Sequence, residues 1–198
     1  MDAPTSSFYF DLASPLAYLA AERVLHELPA PAEWVPVLAS ELPGGDPLSA
    51  FRCASERDAL LSDVARRASE LGLQPLRWPD PFPFDSAFAM RAATYAKSIG
   101  RTVPFAQAAF RQAFAGGRSL DERDNVLIAA AACEMHPAAV LRGAELRSVR
   151  TQLGETTSDA SHRSIETVPA IAVDGVVFEG ERVVEEAAAH MLAIGATR

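Results

Sequence analysis

Phe8-Tyr9-Phe10-Asp11-Leu12-Ala13-Ser14-Pro15-Leu16-Ala17-Tyr18-Leu19 is the stretch on which the fold turns. Its opening residues are apolar, aromatic and preceded by serines, and they read as a short buried strand. At Ser14-Pro15 the period changes. Pro15 suits a first helical position, where its missing N–H is no loss, and Ser14 is a natural N-cap. Leu16, Ala17, Leu19, Ala20, Val24 and Leu25 then recur at helical spacing, and the helix is expected to stop before Pro29. Tyr18 falls on the Leu25 face and reads as core, with contact to a ligand as the lesser alternative. Residues 33–38 read as a second strand. Strand, helix and strand in this order make a βαβ unit, normally with parallel strands.

Beyond a loop over residues 41–48, the pattern is helical for about a hundred residues. Leu60, Leu61, Val64, Ala65, Ala68 and Leu71 form an apolar stripe that ends at Gly72. Residues 77–84 are rich in proline and aromatic residues and read as a rigid extended loop. Asp85 is expected to cap a helix through Ala96, with Gly100 as its stop. Pro104 is expected to start another, ended by Gly116-Gly117. The Ser119 to Glu122 spacing is that of a capping box opening a helix through Ala132. Pro137 and Glu145 are expected to open two further short helices. The strand signal returns over residues 168–173, Asp174-Gly175 is a favoured hairpin turn, and residues 176–179 form the return strand. A last helix is expected from about Val183 to Ala193. The order is β-α-β, a helical block, then β-β-α. An α/β class follows, with residues 6–42 and 165–198 forming one unit and residues 45–155 a helical insertion.

Composition narrows the function classes. The 198 residues suit one domain carrying an insertion, and 49% hydrophobic against 22% charged residues excludes wholesale disorder. A net charge of −8 argues against a general binder of nucleic acid or anionic membranes, both of which need a basic surface. Cys53 and Cys133 form no CxxC, and His26, His136, His162 and His190 show no metal-ligand spacing, so no metal is expected. Ser158 and His162 lie outside any Gly-x-Ser-x-Gly elbow, and no glycine-rich phosphate loop occurs. With no signal-peptide pattern and no apolar run long enough to span a bilayer, the expected location is the cytoplasm.

Residues 8–19 resemble the opening motif of 2-hydroxychromene-2-carboxylate isomerases and kappa-class glutathione transferases. Arg77-Trp78-Pro79, Phe82-Pro83 and Ala89-Met90-Arg91 resemble their mid-domain loop and helix. Val168-Pro169, the hairpin, and Phe178-Glu179-Gly180-Glu181-Arg182 resemble their C-terminal half. The broader group is the DsbA-like superfamily. The resemblance covers nearly the whole chain and implies a thioredoxin fold with a large all-helical insertion. It also implies that Ser14 replaces the cysteine of a CxxC, so this slot cannot run dithiol–disulfide exchange.

The resemblance further implies glutathione, or another low-molecular-weight thiol, as cofactor, and a small aromatic or carbonyl substrate. Ser14, Pro15, Val168, Pro169, Glu181 and Arg182 are then the cofactor-binding candidates, with Ser14 catalytic. A helix N-terminus and a hydroxyl donor both lower a thiol's pKa. A cis Pro169 beside Ser14 is expected, with Val168 offering its backbone to an extended peptide. Glu181 is a candidate for an ammonium group, and Arg77 and Trp78 for the substrate, the arginine taking a carboxylate bidentately. Their plainer alternatives are a helix start and closure of the insertion against the core. A homodimer is implied by analogy alone. The chain departs from the family pattern at residues 55–60 and 164–167, largely regions that contact glutathione. A non-catalytic binding or scaffold protein therefore remains an alternative, as does an oxidoreductase homologue acting through Cys53. Cys133 reads as core.

Overall fold

The computed structural model describes residues 5–45 and 54–197. Strand β1 (Ser6–Phe10) leads into helix α1 (Pro15–Glu27) and strand β2 (Glu33–Pro36). Six helices follow: α2 (Ala54–Glu70), α3 (Ala87–Ser98), α4 (Thr102–Phe114), α5 (Arg123–Ala132), α6 (Pro137–Glu145) and α7 (Arg147–His162). Strands β3 (Ala170–Val173) and β4 (Val176–Glu179) and helix α8 (Val183–Thr197) complete the chain. Cys53 and the end of the loop expected over 41–48, residues 46–48, lie outside the described residues. The sheet order is β2-β1-β3-β4, with β1 and β2 parallel and both later pairs antiparallel. This is the topology that the resemblance implies. Among the described residues no strand occurs between β2 and β3.

Strand β1 sits inside the sheet and is covered on both faces, so its residues alternate between two cores. Phe8 and Phe10 point to the larger one, which also takes Trp34, Ile171 and Val173, helices α1 and α8, and much of the helical block. Tyr9 points the other way with Val35, Val37, Val168 and Ala170, against Ala160 of α7. Helix α7 thus runs from the helical block into the second layer of the sheet. An aromatic chain joins the two parts: Phe10 meets Phe110 at 5.9 Å, and Tyr18 meets Phe114 at 5.6 Å between ring centroids. Tyr18 is buried, as expected, but Leu25 on its face is 45% exposed, because the rings of α4 pack against Tyr18 and the end of α1 extends past the core.

Other local expectations are corrected. Ser119 to Glu122 is no capping box: Ser119 donates its hydroxyl to Asp121, and Glu122 at the N-cap makes no side-chain cap bond. Asn125 organises this turn instead, donating Nδ2 to the Ser119 carbonyl at 2.8 Å. Pro104 lies within the first turn of α4, which begins at Thr102. The last two helices of the block begin at Pro137 and Arg147, and the second has 16 residues, because burial of Val149, Leu153, Thr157 and Ala160 sustains it. Helix α8 continues past Ala193 to Thr197. Among the described residues no helix is long and apolar enough to cross a membrane.

Two contacts generate tests of this packing. In α6, a Cβ on Gly143 would lie 2.4–2.6 Å from ring atoms of Tyr95 on α3, including the ring's anchored Cγ. Alanine gains about 1 kcal/mol in helix propensity over glycine, whereas overpacking costs roughly 1–3 kcal/mol. Gly143→Ala is expected to lower the melting temperature, which thermal unfolding followed by circular dichroism will read. Near β1, the buried Asp11 carboxylate accepts N–H bonds from Ala13 and Ala39, both at 2.9 Å. Asp11→Ala leaves those donors unpaired and is expected to destabilise by roughly 2–4 kcal/mol in urea titration.

Candidate active site

The start of α1 is built by residues 11–14. The Ser14 N–H donates to the Asp11 carbonyl at 3.0 Å, closing a turn, and the Asp11 carboxylate ties that turn to the 3-10 turn Ala39–Glu41 after β2. Ser14 then caps the helix, its Oγ accepting the Ala17 N–H at 3.1 Å, with Pro15 in the first turn. The Leu12 N–H donates to the Met90 sulfur of α3 at 3.2 Å. Ser14 is 8% exposed, and its hydroxyl proton is free to donate. Helix α1 therefore presents the positive end of its dipole and a buried hydroxyl, with no thiol.

The Val168-Pro169 peptide bond is cis, as expected. Three contacts hold this segment. Glu179 of β4 accepts the N–H groups of Glu166 and Thr167 through one oxygen, at 2.8 and 2.9 Å. Gly44 donates its N–H to the Glu166 carbonyl at 2.8 Å. A Cβ on Gly44 would lie 2.7 Å from that same carbonyl, so the close approach requires glycine. Val168 is buried just before the β3 ladder begins, and the Pro169 ring faces a cleft.

Two clefts flank the start of α1. The larger, about 290 Å³, lies between α1, α2 and the turn before α8, and Leu16, Pro169, Glu181 and Arg182 line it. The smaller, about 190 Å³, lies between the starts of α1 and α3 and is lined by Asp11, Ser14, Phe84 and Ser86. The expected candidates are thus divided. Leu16 and Pro169 share the larger cleft with Glu181 and Arg182, whereas Ser14 faces the smaller one. Arg77 and Trp78 line neither. The Arg77 N–H donates to the Phe114 carbonyl, and Trp78 packs on Phe82 at 5.3 Å and Phe114 at 6.2 Å, closing the extended loop against α4.

The larger cleft is rich in arginine. Arg67 bridges Asp63 and Glu181, joining α2 to the turn before α8, and Arg66 pairs with Asp63 and Glu70. Arg23 holds Glu27 and Glu185 at 2.6 and 2.9 Å. Burial pushes the Glu185 carboxyl up. The Arg23 hydrogen bond, its own backbone N–H and the charges of Arg23 and Arg182 outweigh burial and hold it below its ordinary value. The Arg66 bond leads the forces that hold the Asp63 carboxyl below its ordinary value. Arg182 alone among these arginines has no ion pair within the described residues.

Several of these residues escaped the sequence reading. Asp11 stood inside the quoted motif, but its bond to Ala39 spans 28 positions. Glu179 and Arg67 act through partners on other elements, which no local pattern records. Ser86 carried a local signal, since it follows Asp85 immediately before a helix. Among the described residues no group of three or more His, Cys, Asp or Glu is placed to hold a metal ion. Cys133 is buried at the end of α5, and desolvation raises its thiol above the ordinary value.

Comparison with known proteins agrees with this fold. A structure of 2-hydroxychromene-2-carboxylate isomerase superposes with a TM-score of 0.83 at 18% identity, covering 98% of each chain. A probable DsbA oxidoreductase from Streptomyces coelicolor gives 0.81 at 17% identity, covering 98% of this chain and 91% of that one. The cytosolic disulfide reductase DsbM from Pseudomonas aeruginosa gives 0.68 at 15% identity, covering 98% of both. At these identities the likeness is one of fold. No curated protein matches in sequence. The model of the DSBA-like thioredoxin domain matches residues 6–192, and the chain belongs to that family.

Proposed function

We propose that this protein is a thiol-dependent isomerase or transferase of the 2-hydroxychromene-2-carboxylate isomerase type. Its cofactor is glutathione or another low-molecular-weight thiol, and its substrate a small aromatic or carbonyl compound. The observation that carries this reading is the buried Ser14 hydroxyl at the positive end of α1, its proton uncommitted, where a thiol-bearing family would use cysteine. A DsbM structure with glutathione has the same fold, at a TM-score of 0.66 and 13% identity.

The residues present fit such a cofactor in part. Arg182, which makes no ion pair among the described residues, lines the larger cleft and offers a guanidinium for a carboxylate, beside Pro169. Glu181 is engaged by Arg67, so it serves to fix the cleft wall rather than to meet an ammonium group. A bound thiol supplies a thiolate nucleophile that adds reversibly to a conjugated carbonyl compound and lets the former double bond rotate. The chain's part is to make that thiolate. Ser14 donates a hydrogen bond that strengthens as charge develops, and the α1 N-terminus adds a fixed positive potential. Leu16 and Leu19 give the cleft an apolar wall.

A second reading has its own support. Arg23, Arg66 and Arg67 are all paired within the chain, as in a cleft that has turned from binding to stability. The non-catalytic reading requires that glutathione-agarose fail to retain the protein.

Thiolate absorbance of bound glutathione, followed against pH, tests the catalytic reading. A bond to a charged group is worth roughly 1.5–3 kcal/mol, or about ten- to a hundredfold in thiolate population. Ser14→Ala is therefore expected to raise the bound thiol's pKa and move the pH–rate profile to higher pH. The sign follows because the ionised form is the reactive one and the lost donor stabilised only that form. Turnover should fall more than binding. Identical titrations for the two proteins would leave Ser14 as a helix cap alone.

A further inference from the structure

We propose that the corner of the helical block where α3, α5, α6 and α7 meet is an anion site for the phosphate group of a small, soluble phosphate monoester. Arg91, Arg123 and Arg150 hold the phosphate, and Glu145 is the internal carboxylate that competes with it. None of these four residues lines either cleft beside α1, so the proposal is independent of the thiol-dependent reading.

The chain is acidic, with 18 Lys and Arg against 26 Asp and Glu, yet at this corner three arginines gather around one carboxylate. Arg123 donates Nη2 to Glu145 Oε1 at 3.0 Å, and Arg150 bonds the other oxygen. The Arg150 bond leads the forces that hold the Glu145 carboxyl below its ordinary value. Desolvation opposes it, and the charges of Arg150, Arg123 and Arg91 add to it. Arg91 is thus close enough to act on Glu145 but forms no ion pair among the described residues, and its Nε is buried with no hydrogen-bond partner. A buried donor without a partner calls for an explanation, and a ligand oxygen supplies one. The Phe88 ring, itself buried, fixes two of the three guanidinium groups, lying 4.8 Å from Arg123 and 5.8 Å from Arg91 at its centroid. Arg123 and Arg150 are more than half exposed, so a ligand can reach them from solvent.

Helix electrostatics at this corner run the wrong way for a purely structural cluster. Glu145 is the last residue of α6, at the negative end of its dipole, whereas Arg147 opens α7 and Arg150 follows within a turn, at the positive end. Helix α7 has no acidic residue in its first turn, and Leu146 at its N-cap gives no side-chain bond, so its first N–H groups find no acceptor there. An anion bound at the corner offsets each of these conflicts. Glu145 cannot do so alone, because its two oxygens are spent on Arg123 and Arg150 and none is left for Arg91. A phosphate monoester brings three acceptor oxygens and roughly two negative charges at neutral pH, one oxygen for each guanidinium. The exposed pairs that Glu145 makes are weak enough to give way to it. Other carboxylates stand nearby on the chain: Asp121 accepts from Ser119 and Glu122 from Asn125, and among the described residues neither they nor Asp124 pair with these arginines.

The test is a calorimetric titration of the full chain with phenyl phosphate and, separately, benzoate, at low ionic strength and with no thiol present. Saturable phenyl phosphate binding that weakens with added salt is expected, with benzoate binding more weakly. Arg91→Gln should weaken it about tenfold, the scale of one bond to a charged group. Arg91→Lys, which keeps the charge, should retain more of it than glutamine does. Glu145→Gln removes the competing carboxylate and should tighten binding roughly two- to fivefold, the range for an exposed charge contact. A cluster that only holds the helices together gives no such gain. Thermal melting reads the fold of each variant separately. Absence of saturable binding overturns the proposal, as does equal affinity in wild type and Arg91→Gln, weaker binding by a folded Glu145→Gln protein, or benzoate binding as tight as the phosphate. Sedimentation with phosphatidylcholine vesicles containing phosphatidic acid, lost in Arg91→Gln, would put the phosphate on a lipid and overturn the soluble-ester assignment; no sedimentation is expected.

Discussion

The Asp11 carboxylate is the contact on which the site depends. It leaves the end of the central strand and accepts one N–H from the turn that starts α1 and another from the turn that follows β2. Charge-assisted bonds of this kind are about twice as strong as neutral ones, and burial keeps water from competing for them. The parallel pairing of β1 and β2 brings the two turns together at one end of the sheet. Asp11 then locks them, and with them the height and direction at which α1 begins. Both clefts inherit their shape from that lock, since Ser14 at the N-cap of α1 lines one and Leu16 of its first turn lines the other.

The two clefts differ in charge. Arginines from α1, α2 and the turn before α8 line the larger one, and all but Arg182 form ion pairs among the described residues. The Arg67 to Glu181 pair crosses from the helical block to the sheet unit, so that cleft exists only when both parts are docked. The smaller cleft has Asp11, Glu41 and Asp85 in its lining, with Ser14, Ser40 and Ser86.

Legibility in the sequence followed the range of the interaction. The cap at Ser14, the helical position of Pro15 and the hairpin at Asp174-Gly175 are local, and the pattern displayed them. The Ser119 to Glu122 spacing was local too, yet no capping box forms, and Asn125 instead donates to the Ser119 carbonyl and the Glu122 carboxylate. Helix α7 looked short because its 16 residues are polar on most faces. Its length comes from a narrow apolar seam laid on the sheet and on α3. Arg77 and Trp78 looked like site residues because they resembled a family motif, and packing against Phe114 and Phe82 drew them away from both clefts.

What the sequence determined by itself is the order of elements and the chemistry available at one helix end. Both depend on period, capping and residue type within a few positions, and a serine with no cysteine beside it at the start of α1 is visible with no structure at all. What only the tertiary structure decided is which side chains share a cleft. Ser14 and Ser86, 72 positions apart, line one cleft and Pro169 lines the other; Glu181 is claimed by Arg67, and Arg182 makes no ion pair among the described residues. These outcomes hinge on how the helical block docks on the sheet and on which charges find partners first. Docking of that kind is set by the summed packing of many distant residues, and no window of sequence contains it.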